Sequence, residues 1–274
     1  MKLNKMVASL AAFGILTAVA IPAQAAVLDA WQMVITGDTY SNIGRLSITG
    51  GSSNVIQETD AAGNIFVGAN FVESGAAYTI SYIQNNVVGP GDTGSPSALN
   101  TTDWLKLIFT NVTGKVTAVT GFGGFDYNFT GGSFGVTDYQ GTNTVLATGS
   151  VVGTNGSFGD SFGFAGANGS SVTDIKLSSI AGGTIFNILD STGKPIDISK
   201  ILFEAQTNNQ LTQDASGVTT NCGTTGFKYC RTINNINSNG DGFLVTQAVP
   251  EPATMGLMGL GLLGMGAFMR RRKS

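Results

Sequence analysis

The middle of this chain never runs far without Gly, Asn, Asp or Ser, and between these residues stand short runs rich in Val, Ile, Thr, Phe and Tyr. Such punctuation rules out long helices and points to strands joined by tight turns. Strands are expected at 33–36, 45–49, 64–67, 78–83, 105–110, 115–120, 125–129, 143–152, 184–189, 201–205 and 243–246. Residues 111–114, Asn-Val-Thr-Gly, read as a hairpin turn. Within 125–129, Phe125, Tyr127 and Phe129 share one face and Asp126 and Asn128 the other. Closely spaced strands of this kind predict an all-β domain over 26–248, an antiparallel β-sandwich or jelly-roll-like fold. Helix is expected only at the two termini.

Composition removes several chemistries. With no His in 274 residues, a Ser-His-Asp or Cys-His site, a His-ligated zinc and an imidazole pH switch are excluded. Charged residues make up only 11% of the chain, and no Lys/Arg cluster lies in the middle, so nucleic acid is a poor partner. Residues 26–250 hold 8 Lys and Arg against 16 Asp and Glu, a net of 8 − 16 = −8. The overall value of −3 therefore hides an acidic middle behind basic ends.

Those ends have their own grammar. Lys2 and Lys5 precede an apolar run over 6–21, followed by Pro22 and Ala23-Gln24-Ala25. A basic start, an apolar run and a small-x-small site make a signal peptide over 1–25. The mature chain is then exported to a compartment that permits disulfides. At the other end, Val249-Pro250-Glu251-Pro252 is followed by an uncharged, Gly-thinned span over 253–269, then Arg270, Arg271, Arg272 and Lys273. Seventeen helical residues reach roughly 26 Å, at the short limit for a bilayer core, and the basic cluster marks the cytoplasmic side.

The order of Pro-Glu-Pro, short Gly-rich span and Arg cluster over 249–274 resembles the PEP-CTERM sorting tail of Gram-negative bacteria. The resemblance implies a substrate of an exosortase-type membrane processing enzyme, with Pro250, Glu251 and Pro252 as the recognition element. It implies a precursor held transiently in the inner membrane, then delivered to the cell surface or extracellular matrix. Such proteins commonly accompany exopolysaccharide production. In general layout the chain also resembles flocculation-associated PEP-CTERM proteins.

Four further features stand out. Cys222 and Cys230, with seven residues between them, are expected to form a small disulfide loop. Residues 121–170 hold 14 Gly and seven Phe; the Phe side chains are expected inward with Gly at turns or bulges. A competing reading of the same stretch is a sticky surface whose Gly-rich edges pair between chains. Residues 235–242, Asn-Ile-Asn-Ser-Asn-Gly-Asp-Gly, mimic half of a calcium loop but carry one carboxylate, so a tight turn is the expectation. Asp126, Asp138 and Asp160 could bind Ca²⁺ only if the fold gathered them; no metal ligand set and no cofactor is otherwise expected.

Trp104 and Tyr127, each beside hydrogen-bonding residues, are the glycan-contact candidates. The catalytic set is expected to be empty. The resulting expectation is a non-enzymatic secreted surface or matrix protein, structural or adhesive in exopolysaccharide, biofilm or floc. The alternatives are a carbohydrate-binding module for a specific glycan and, below it, a carboxylate-based glycoside hydrolase, which needs two facing carboxyls in a cleft.

Overall fold

A computed structural model describes residues 26–84, 96–100, 103–120, 123–139, 144–159 and 165–246. Val27–Thr246 form one compact unit. The signal-peptide region, the sorting tail with its 253–269 span, and Asp160 lie outside the described residues.

The strands are β1 (Trp31–Ile35), β2 (Asp38–Glu58), β3 (Asn70–Gln84), β4 (Pro96–Ala98), β5 (Leu105–Val119), β6 (Phe125–Asp138), β7 (Val145–Phe158), β8 (Asn168–Ile180), β9 (Phe186–Leu189), β10 (Ile201–Leu211), β11 (Thr219–Thr220) and β12 (Tyr229–Thr246). All the pairings are antiparallel, so the expected all-β class holds. The arrangement differs from two facing sheets. Order runs β12-β10-β8-β7-β6-β5-β3-β2, and β2 pairs back onto β12 from Glu58↔Cys230 to Leu46↔Gly242. Eight strands therefore close into a barrel in meander order, with no Greek-key crossover. Seven of the eight barrel pairings join long strands that follow one another in sequence, and the eighth, β2 with β12, closes the ring.

Alternation sets the two faces. On β6, Phe125, Tyr127 and Phe129 point in and are 3–7% exposed, while Asp126 and Asn128 are exposed. On β2, Leu46, Ile48, Ser53, Val55 and Gln57 are buried. One end of the ring is covered by β1 and β9. Their Trp31, Met33, Phe186 and Ile188 share an apolar cavity of about 30 Å³ with Leu105, Val136 and Leu244 of the barrel strands.

Some glycines sit at bulges and turns as expected, Gly153 and Gly166 among them, but glycine also has a second use. Three inward glycines lie directly across from aromatic residues on the neighbouring strand: Gly114↔Phe71, Gly156↔Tyr127 and Gly169↔Phe158. A Cβ at any of the three would overlap the opposing ring. The rings lie flat across the neighbouring backbone, so glycine is the side chain's seat.

Two expected turns are strand. Residues 111–114 sit inside the continuous β5, where Asn111 takes a φ of 50° and pairing to both neighbours slips. Residues 235–242 sit inside β12, paired with β10 and β2, with a bulge at Asn235 (φ 56°). Asn tolerates this left-handed geometry, so it bends the strand without ending it. Residues 64–67 form no strand, whereas β8 arises from a Ser/Thr-rich segment not expected to form one.

The glycine seats are testable. Gly114→Ala should lower unfolding stability by about 1–3 kcal/mol, because the new methyl overlaps the Phe71 ring. Gly217→Ala, which meets nothing within 4 Å, should stay within about 0.5 kcal/mol of wild type. Denaturant titration measures both, and equal effects at the two sites would rule out the seating role.

Candidate functional site

Two places concentrate polar and aromatic groups: an outer aromatic group on β3, β5 and β6, and a polar band inside the barrel.

The outer group is built on Asp103, the residue before β5. Its carboxylate is fully buried and accepts hydrogen bonds from the Tyr40 hydroxyl (2.5 Å) and the Thr36 hydroxyl. The Asn100 amide donates to that Tyr40 oxygen (3.0 Å). Burial, and the hydrogen bond to Asp103, push the Tyr40 phenol far up, so it remains a donor. This network pins the chain leading to Trp104 against the β1–β2 hairpin. The Tyr139 amide then donates to the Trp104 carbonyl at 2.8 Å.

The Trp104 and Tyr139 rings are 6° from parallel with centroids 6.0 Å apart. Rings touching at about 3.5 Å and spaced this far are offset mainly sideways. They present a broad flat surface more than a closed stack. Tyr78 meets Tyr139 edge-on at 4.9 Å, and Tyr139 is 41% exposed. Cross-strand register places Thr49, Tyr78 and Lys106 in one row on the outer face. A hydroxyl and an ammonium thus flank the rings.

Tyr127, the other glycan candidate, is elsewhere. It is 5% exposed inside the barrel, edge-on to Phe71 and Phe129. Its ring is not available at the surface. The inward alternation of 125–129 carried that information. Nothing in the sequence joins Tyr78 and Tyr139 to Trp104, because the joining is by sheet register.

Inside, Tyr127 belongs to a polar band in an otherwise apolar lumen. Its hydroxyl meets Ser171 and Asn209. Ser171 and Thr207 hydroxyls are 2.7 Å apart, the Asn209 side-chain nitrogen donates to Ser171 (3.2 Å), and Ser238 donates to the Asn209 oxygen (2.7 Å). Glu73 faces this band, with the Ser53 hydroxyl beside it. Part of Glu73 remains accessible to a water-sized sphere, yet protein surrounds it; the accessible part lines the internal cavity. Burial pushes the Glu73 carboxyl above its usual range, and the nearby Ser53 hydroxyl offsets this only in part. Burial also raises the Tyr127 phenol, helped by the Glu73 charge.

Cys222 and Cys230 form the expected disulfide, across from β11 at the start of β12. Asp126 and Asp138 stand at opposite ends of β6 and share no site. Among the described residues no group of three or more Cys, Asp or Glu is placed to hold a metal ion. Nor is any helix there long and apolar enough to cross a membrane.

Comparison with protein-family models finds the PEP-CTERM protein-sorting motif at residues 248–273. That covers Val249, Pro250, Glu251, Pro252 and the Arg270–Arg272 cluster, which lie outside the described residues. The chain has no match among curated proteins and none among solved structures.

The Glu73 carboxyl gives a pH test. Its folded-state pKa is raised above the ordinary value of 4.5. Stability is therefore fully present below that pH and declines as pH climbs through the folded value. Glu73→Gln should match wild type in acid and exceed it by about 1–3 kcal/mol at neutral pH. Equal unfolding free energies at pH 7 would show that Glu73 is not held in the lumen.

Proposed function

We propose that this exosortase-sorted extracellular protein is a non-enzymatic adhesive component of the surface or matrix, holding exopolysaccharide through Trp104, Tyr139 and Tyr78. The sorting motif at 248–273 supports the delivery route: a secreted, membrane-anchored precursor handled by an exosortase-type enzyme. The signal peptide over 1–25 supplies export. The observation that carries the adhesive reading is the nearly parallel Trp104–Tyr139 pair, with Tyr139 exposed and Trp104 half-buried beside it. A flat aromatic face stacks on sugar C–H groups while neighbours such as Thr49 and Lys106 bind hydroxyls.

A hydrolytic reading finds less support. Asp174 and Glu204 are directly opposed on β8 and β10, a carboxylate pair by register. They alternate with the inward Ile175 and Phe203, which puts them on the outer, convex face. A glycosidase needs its pair across a cleft that admits the sugar.

Two measurements test the proposal. In pull-down on the producing strain's purified exopolysaccharide, Tyr139→Ala and Trp104→Ala should each weaken binding roughly fivefold, about 1 kcal/mol per lost stacking face. Unchanged retention in both variants would refute the platform. Changing Pro250, Glu251 and Pro252 together to Ala should hold the protein in the membrane fraction with its Arg tail attached; normal release would refute recognition at these residues.

A further inference from the structure

The lumen of the barrel is not completely filled. A cavity of about 80 Å³ sits at mid-height, lined by residues from every one of the eight barrel strands. Its upper wall is apolar, with Phe109, Phe129, Phe134, Phe203, Leu107 and Ile175. Its floor is polar: Glu73, Ser171, Thr207, Asn209 and Ser238. A smaller chamber of about 20 Å³ continues below, and the two meet at Glu73 and Asn209. Barrels of eight strands are at the size where the interior is either just filled or holds one small ligand.

The floor has a definite chemical bias. Glu73 brings a carboxyl, and no Lys or Arg lines either chamber. A buried carboxylate without a cation is costly. Around it three hydroxyls offer lone pairs, while the Asn209 oxygen already accepts from Ser238 and Thr207 and its nitrogen is committed to Ser171. The set lacks a cation and a surplus of donors. An anionic ligand would meet Glu73 with no compensating charge. An ammonium would supply both the missing charge and three N–H donors.

We propose that the lumen is a binding site for a small primary amine, its ammonium paired with Glu73 and its short alkyl part against the phenylalanine-rich wall. Occupied space sets the size. A cavity of about 150 Å³ holds benzene, so one of about 80 Å³ takes a chain of roughly three or four non-hydrogen atoms. Entry is at the end of the barrel remote from β1 and β9. There Gln57 borders both the smaller chamber and a surface pocket of about 350 Å³. Its side-chain nitrogen donates to the Glu58 and Asn70 carbonyls at 2.9 and 3.2 Å, holding it across the passage. The acidic mature chain, at −8 over 26–250, raises the local concentration of cations around it. The site is separate from the outer aromatic group and does not depend on glycan binding.

Calorimetric titration of the full secreted protein with n-propylamine, propan-1-ol and propionate at neutral pH tests this. Propylamine should bind about tenfold tighter than propan-1-ol, and propionate should not bind. Glu73→Gln should remove the preference, bringing amine and alcohol within about threefold. Ala77→Leu, which extends a side chain into the cavity, should weaken both, while Tyr139→Ala should leave both unchanged. If wild type binds none of the three, the lumen holds water only and the proposal fails. It fails equally if alcohol or carboxylate binds as tightly as the amine. Wild-type selectivity alone decides the matter should either lumen variant not fold.

Discussion

Everything in this molecule depends on large aromatic rings lying across inward glycines. Closing eight strands leaves a lumen of nearly fixed width. Phe71, Tyr127 and Phe158 are too large to stand upright against a β-branched neighbour in that space. Opposite Gly114, Gly156 and Gly169 each ring lies over the next strand's backbone, with Phe71 edge-on to Tyr127 and Phe158 stacked on Tyr127. The glycine entropy cost in strands is offset by aromatic burial, at roughly 25 cal/mol per Å² of apolar surface. The three glycines and the three rings seated on them are thus two halves of one packing solution.

That solution sets where chemistry can sit. Rings fill the lumen above and below a middle layer, and the middle layer carries the small polar residues Ser171, Thr207, Asn209 and Ser238 with Glu73. Hydrogen bonds within the layer satisfy most of its own atoms, which is the condition for polar groups in a low-dielectric interior. Glu73 is the member left with only a hydroxyl beside it. Outside, the same alternation leaves Thr, Ser and Asn on the surface, and only the Asp103 anchor holds several aromatic rings together there. Inner and outer sites follow from one period-two pattern read from its two faces.

Much of the strand content was legible, because alternation and β-branching are local signals. Phe125, Tyr127 and Phe129 declare one face within five residues, and the disulfide of Cys222 and Cys230 follows from proximity in sequence. The misreadings have a common physical origin. Residues 111–114 and 235–242 have turn composition, yet Asn111 and Asn235 make bulges in unbroken strands. A bulge and a turn ask for the same left-handed residue; only the partner strands decide between them. β8, with its Ser171, Thr173 and Ser170, looks like a loop until the polar layer it faces is known. The Trp104 platform and the closure of β2 onto β12 are long-range register effects, and no local pattern encodes them.

Closure also decides how such a protein can stick to anything. An open Gly-rich sheet could add strands from a second copy, which is how residues 121–170 could have acted as a sticky edge. In the barrel β6 and β7 are paired on both sides along most of their length. Their backbone groups are spent on neighbours within the chain. The strands left at margins are short: β4 with three residues, β9 with four and β11 with two. Strand addition is then a weak route to assembly, since a short edge offers few hydrogen bonds and little register. Any contact with a partner then falls to side chains on the outer face. The proposed glycan face at Trp104, Tyr139 and Tyr78 would work without opening the sheet, so a closed fold could bind a polymer and still resist uncontrolled aggregation.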